Sequence, residues 1–147
     1  RLKRTRHLVL LTNSSVETGP EFLRHLQVED VFHEIYFQGG KPRGLVERVS
    51  TLTQTHRVGP DRVTSFGDNP RNDLYPVHNV GGSTVLVSPY QRMWNGPWTA
   101  IVRSVSELGE LLHRIADADG VARTSPDWMP RPQRKGQFVG GGLRLAR

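Results

Sequence analysis

The sequence predicts an α/β three-layer sandwich, a mostly parallel sheet with helices on both faces, followed by an irregular C-terminal tail. Three observations carry this. Apolar runs of strand length alternate with helix-length amphipathic segments across residues 7–116, the runs are rich in Val, Leu and Ile, and the alternation stops near Asp117.

Residues 8–11 are the first strand, and Thr12-Asn13-Ser14-Ser15 after it are suited to cap a helix. Residues 20–26 set Phe22, Leu23 and Leu26 at helical spacing. Residues 35–37 form the next strand, closed by Gly39-Gly40. Residues 45–53 carry Leu45, Val46, Val49 and Leu52 on one helical stripe. Residues 63–66 read as a short buried strand, a helix-length segment then runs to Gly81-Gly82, and residues 84–87 and 100–102 are further strands. Residues 106–115 are a last helix with Leu108, Leu111, Leu112 and Ile115 inward. Beyond it Pro126, Pro130, Pro132, Gly136 and Gly140 to Gly142 break any regular element.

At 147 residues the chain suits one domain, with residues 1–6 a basic segment, 7–116 the core and 117–147 the tail. No apolar run has membrane-spanning length and no signal peptide is evident, so a soluble cytoplasmic protein without membrane contact is expected. The absence of cysteine excludes disulfides, thiolate metal sites and a cysteine nucleophile. The six histidines, His7, His25, His33, His56, His78 and His113, lack HExxH-like spacing; they read as surface or packing residues, and no histidine zinc site is expected. The net charge of +6 lies in the two terminal segments, which read as poorly structured. Arg1, Lys3, Arg4 and Arg6 crowd the first, the tail is also basic, and the body carries a slight acidic excess, so nucleic acid is not the expected partner.

The stretch FGDNPRND, residues 66–73, follows a strand, where open parallel sheets place their ligand sites. Asp68 and Asp73 suit a hard cation such as Mg²⁺, with Asn72 in support. Taken alone, the same stretch also serves as an Asp-Asn-Pro turn that caps a helix. Thr12 at a strand end offers a hydroxyl, and the backbone N–H groups of Asn13 and Ser14 at a helix start suit an anionic oxygen. Taken singly, Thr12 reads rather as an ordinary helix cap and Lys41 as a solvated loop lysine.

In order, LVLLTNSS, GGKPRG and FGDNPRNDLYPVHNVGGSTVLV resemble the second, third and fourth motifs of the haloacid dehalogenase-like (HAD) hydrolases, over about residues 7–115. The resemblance implies a Rossmann-like core and Mg²⁺-dependent phosphoryl chemistry on a small phosphorylated substrate. Thr12 and Lys41 would be catalytic. Thr12, Asn13, Ser14 and Lys41 would bind phosphate, and Asp68 and Asp73 would hold the metal. Such residues position the group and neutralise its charge, which is most of what phosphoryl transfer asks of a protein.

HAD enzymes use a nucleophilic aspartate in a DxDx[TV] motif on a first, central strand, and this sequence starts at the second motif. DADGV, residues 117–121, has the form of that motif as a circular permutation would relocate it. The residues before it read as the last helix, so it is taken as a helix C-terminal turn stopped by Gly120. With the family's sheet order 3-2-1-4-5, strands 8–11 and 63–66 would each keep an unpaired edge. The two strands could pair directly, or the tail (residues 137–145), a second copy, a partner chain or further natural sequence could supply a strand. The expected function is a HAD-like phosphohydrolase or a portion of one, with the isolated chain inactive or nearly so. The alternatives are a catalytically silent HAD-like binding or assembly module and, less favoured, a nucleic-acid-associated protein acting through its basic termini.

Overall fold

The computed structural model describes residues 1–118. Five strands, β1 (Val9–Leu11), β2 (Glu34–Tyr36), β3 (Thr64–Gly67), β4 (Ser83–Val87) and β5 (Ala100–Val102), interleave with four helices, α1 (Gly19–Leu26), α2 (Arg43–His56), α3 (Tyr75–Asn79) and α4 (Val105–Ala118). Among these residues all strand pairing is parallel, in two groups: β1 with β2, and β3, β4 and β5 in that order. This is the expected α/β architecture. Direct pairing of β1 with β3 does not occur among the described residues.

β4 is the best-buried strand because it is flanked on both edges and covered on both faces. Val85 and Val87 join Val102 on β5 and Leu108, Leu111, Leu112 and Ile115 on α4 in one apolar cluster. Alternation turns Thr84 and Leu86 to the other face, where α3 brings Val77 and the turn before it brings Leu74, all fully buried. The i, i+3, i+4, i+7 spacing of the α4 leucines and Ile115 therefore does what the sequence implied.

Several local expectations are corrected. The residues after β1 do not start a helix: α1 begins at Gly19, with Pro20 in its first turn, so residues 12–18 form a loop. The reason is that Thr12 and Ser14 hydrogen-bond within that loop and compete with helical backbone bonding. β3 is less buried than its composition suggests, with Phe66 37% exposed, because the strand lies at the edge of its group. α1 also leaves Phe22 and Leu26 exposed. The segment leading to Gly81 opens with a wide π-helical turn, Pro70–Leu74, before α3. The basic N-terminal segment is structured: Leu2–Arg4 forms a 3₁₀ turn, Leu2 packs on the α4 cluster, and Arg1 pairs with Asp117 at 2.6 Å. Residues 119–147, including most of DADGV and the tail strand considered at 137–145, lie outside the described residues.

Candidate functional site

Parallel strands carry their loops in one direction, so the segments after β1, β2 and β3 meet at one end of the fold. Asn13 joins the first two. Its side-chain Oδ1 accepts the Lys41 N–H at 2.9 Å, and its Nδ2 donates to the Lys41 carbonyl at 3.3 Å. Gly39 N–H donates to the Thr12 carbonyl at 2.8 Å, and Gly40 takes a left-handed φ of 61° that turns the chain toward Lys41. Gly44 packs its Cα against the Gly39 carbonyl so closely that an added Cβ would lie 1.8 Å from that oxygen, which fixes the start of α2 against this loop.

Lys41 reaches from there to the third segment. Its Nζ lies 2.5 Å from Asp73 Oδ1, and the two side chains are only 17% and 10% exposed. Asp73 Oδ2 accepts the Asn69 N–H at 3.1 Å, and the Asp73 carbonyl accepts the Ser65 hydroxyl at 2.7 Å. Both oxygens of this carboxylate are therefore engaged. Asn69 also caps the turn, its Oδ1 accepting the Asn72 N–H at 3.2 Å. Asp68, at the carboxyl end of β3, is exposed to solvent. Thr12 Oγ1 donates to Ser14 Oγ at 2.9 Å and accepts the Ser14 N–H at 3.1 Å, so the Ser14 amide is already satisfied within the loop. Asn72 is half-buried beside Asp73.

Sequence reasoning did not single out Ser65, Asn69 or Gly67. Ser65 was legible only as a lone hydroxyl in a strand, and Asn69 as the Asn-Pro start of a turn. Gly67 admits Asp73: a Cβ there would stand 2.3 Å from Asp73 Cβ and 2.8 Å from its Oδ2. Gly67→Ala is therefore expected to push Asp73 off Lys41 and lower stability by about 1–3 kcal/mol. Denaturant unfolding checks this, and an unchanged midpoint would show that the turn has room to yield. Asp117 lies elsewhere: α4 runs back after β5, and its last turn holds Asp117 exposed and paired with Arg1.

The class to which this parallel α/β architecture belongs is the HAD-like fold. Structural comparison places this chain in that fold: it is similar to a HAD phosphatase from Thermococcus onnurineus, with TM-score 0.59, 21% identity, and coverage of 76% of this chain and 53% of that one. A 2-haloacid dehalogenase from Pseudomonas syringae pv. Tomato DC3000 also matches, with TM-score 0.47, 20% identity, and coverage of 63% and 42%. The chain thus spans about half the length of the first of these structures. No protein-family model and no curated protein matches the sequence. No helix among the described residues is long and apolar enough to cross a membrane.

Proposed function

We propose that this chain carries the phosphate- and metal-binding half of a HAD-like phosphohydrolase site acting on a small phosphorylated molecule with Mg²⁺. The observation that supports it most is the Lys41–Asp73 pair, which joins residues 32 apart in sequence at the strand ends, nearly out of water.

The donor chemistry fits Mg²⁺, which binds through one or two carboxylates and keeps waters and phosphate oxygens as its other ligands. Asp68 is the exposed carboxylate that would hold it, with Asp73 alongside. When bound, the ion would offset charge on the phosphoryl oxygens. Lys41 presents a positive charge whose position Asp73 and the Asn13 side chain fix. Thr12 contributes its hydroxyl, and the Asn13 N–H is the backbone donor left for an oxygen, since Ser14 N–H is taken by Thr12. Asn72 supports the turn.

The second edges of β1 and β3 are where a further strand would add, from a second copy of the chain, a partner chain or another segment. No aspartate of the described residues stands on a strand between them, so the 147-residue chain alone is expected to bind Mg²⁺ weakly and to turn over an aryl phosphate slowly or not at all. Losing one member of a cooperative catalytic unit costs on the order of 10⁴-fold or more. Two measurements test the reading. Amide shifts of Thr12 to Ser14, Lys41 and Asp68 should move when inorganic phosphate and Mg²⁺ are added together, and Lys41→Ala and Asp68→Asn should suppress the response. Phosphate shifts confined to other surfaces would refute the phosphate site. Rapid Mg²⁺-dependent hydrolysis lost in Asp117→Asn would instead place the nucleophile in the C-terminal DADGV stretch.

A further inference from the structure

Histidines that look unrelated in the sequence converge at the opposite end of the strands from Lys41. His7 precedes β1, His33 precedes β2 and His56 closes α2. The His7 ring stacks on His33 with centroids 4.7 Å apart and lies 4.4 Å from the His56 ring. His7 Nε2 is 2.6 Å from Glu34 Oε1. One ligand atom each from His7, Glu34 and His56 lies within 4.8 Å of the other two, and among the described residues no other group of three His, Cys, Asp or Glu side chains does so.

We propose that His7, Glu34 and His56 form a binding site for a divalent transition-metal ion, with Zn²⁺ as the occupant that fits its donors. Two imidazoles and one carboxylate are a recurrent zinc ligand set, with water in the fourth position. Bonds of about 2.0–2.1 Å place tetrahedral donors about 3.3 Å apart. The separations here, from 2.6 Å to at most 4.8 Å, straddle that value, and His7 and His56 are exposed enough to rotate by about an ångström. His7 would bind as a neutral imidazole with its ring hydrogen on Nδ1, so that the lone pairs of Nε2, Glu34 Oε1 and a His56 ring nitrogen would hold the metal.

The surroundings hold the carboxylate ready for this. The Tyr36 hydroxyl donates to Glu34 Oε2, leaving Oε1 for the ion, and the Arg48 guanidinium lies 3.5 Å over the Tyr36 ring. Hydrogen bonds of this kind commonly orient metal ligands. His33 is not a donor to the ion: its Nδ1 accepts the Leu8 N–H at 3.0 Å, which puts the ring proton on Nε2. An ion here ties the chain before β1 to β2 and to the end of α2.

Titrating the 147-residue chain with Zn²⁺ in a calorimeter tests the site. One equivalent should bind saturably and raise the melting temperature, because an ion that prefers the folded state stabilises it. His7→Ala and His56→Ala should each weaken binding by more than about 100-fold, since even partners that only orient a ligand are worth about 10–100-fold. Tyr36→Phe should weaken it about tenfold. His113→Ala should leave it unchanged. His56 is exposed at a helix end, so its variant should retain the fold, which circular dichroism checks. Co²⁺ should give the visible absorption of a tetrahedral ion in the wild type and lose it in His56→Ala. Absence of saturable Zn²⁺ binding by the folded wild type, or binding that survives both histidine variants, overturns the proposal.

Discussion

Asp73→Ala is expected to cost about 3–5 kcal/mol, because it leaves the Lys41 ammonium nearly buried without its counter-charge. Against a typical total of about 5–15 kcal/mol for a domain, that is a large share of stability. The substitution also removes the acceptor for Asn69 N–H, so the turn that carries Asp68 loosens at the same time. Lys41→Met reverses the imbalance, stranding the carboxylate instead. The pair Lys41→Met with Asp73→Leu should recover much of the loss, since an ion pair replaced on both sides by apolar groups is often nearly neutral. A double-mutant cycle in urea measures the coupling. A loss below about 1 kcal/mol for Asp73→Ala would show that water reaches the pair and that its geometry adds little.

Backbone amides on the second edges of β1 and β3 should exchange far faster than those of β4. Thr12 N–H donates to Tyr36 on the β2 side, so alternation turns the amides of Val9 and Leu11 the other way. Val63 accepts from Ser83 on the β4 side, which turns the amides of Thr64 and Phe66 outward in the same manner. β4 is bonded on both edges and its Thr84, Val85 and Leu86 are buried. Their amides should open only with global unfolding, and the outward amides should exchange on the order of 100-fold faster or more. Native-state hydrogen exchange reads this directly. If dilution speeds exchange at Val9, Leu11, Thr64 and Phe66 alone, a second copy covers those edges by strand addition. Equal protection of all five strands at every concentration would contradict open edges.

Local pattern was enough to read most of the elements. β4 announces itself as STVLV after a glycine pair, and α4 as leucines and an isoleucine at helical spacing, because each needs only the period of its own side chains to decide which face is buried. The structure places Thr12, Asn13, Ser14, Lys41, Asp68, Asn72 and Asp73 in the segments that follow β1, β2 and β3, as their positions after strand-length runs implied. Tertiary structure alone decided which of these side chains touch. Nothing near residue 73 says that its carboxylate is buried against Lys41 while Asp68 faces water; that depends on the small Gly67 and on the path of a loop 32 residues away. The exposure of Phe66 could not be read either, because burial of a strand depends on which strands lie beside it, and among the described residues β3 has a neighbour on one edge only. His7, Glu34 and His56 show the same limit most clearly. Their spacing matches no metal motif, and they meet because two parallel strands start side by side and α2 runs back to end beside them, a proximity set by the chain's route through space and not by its local sequence.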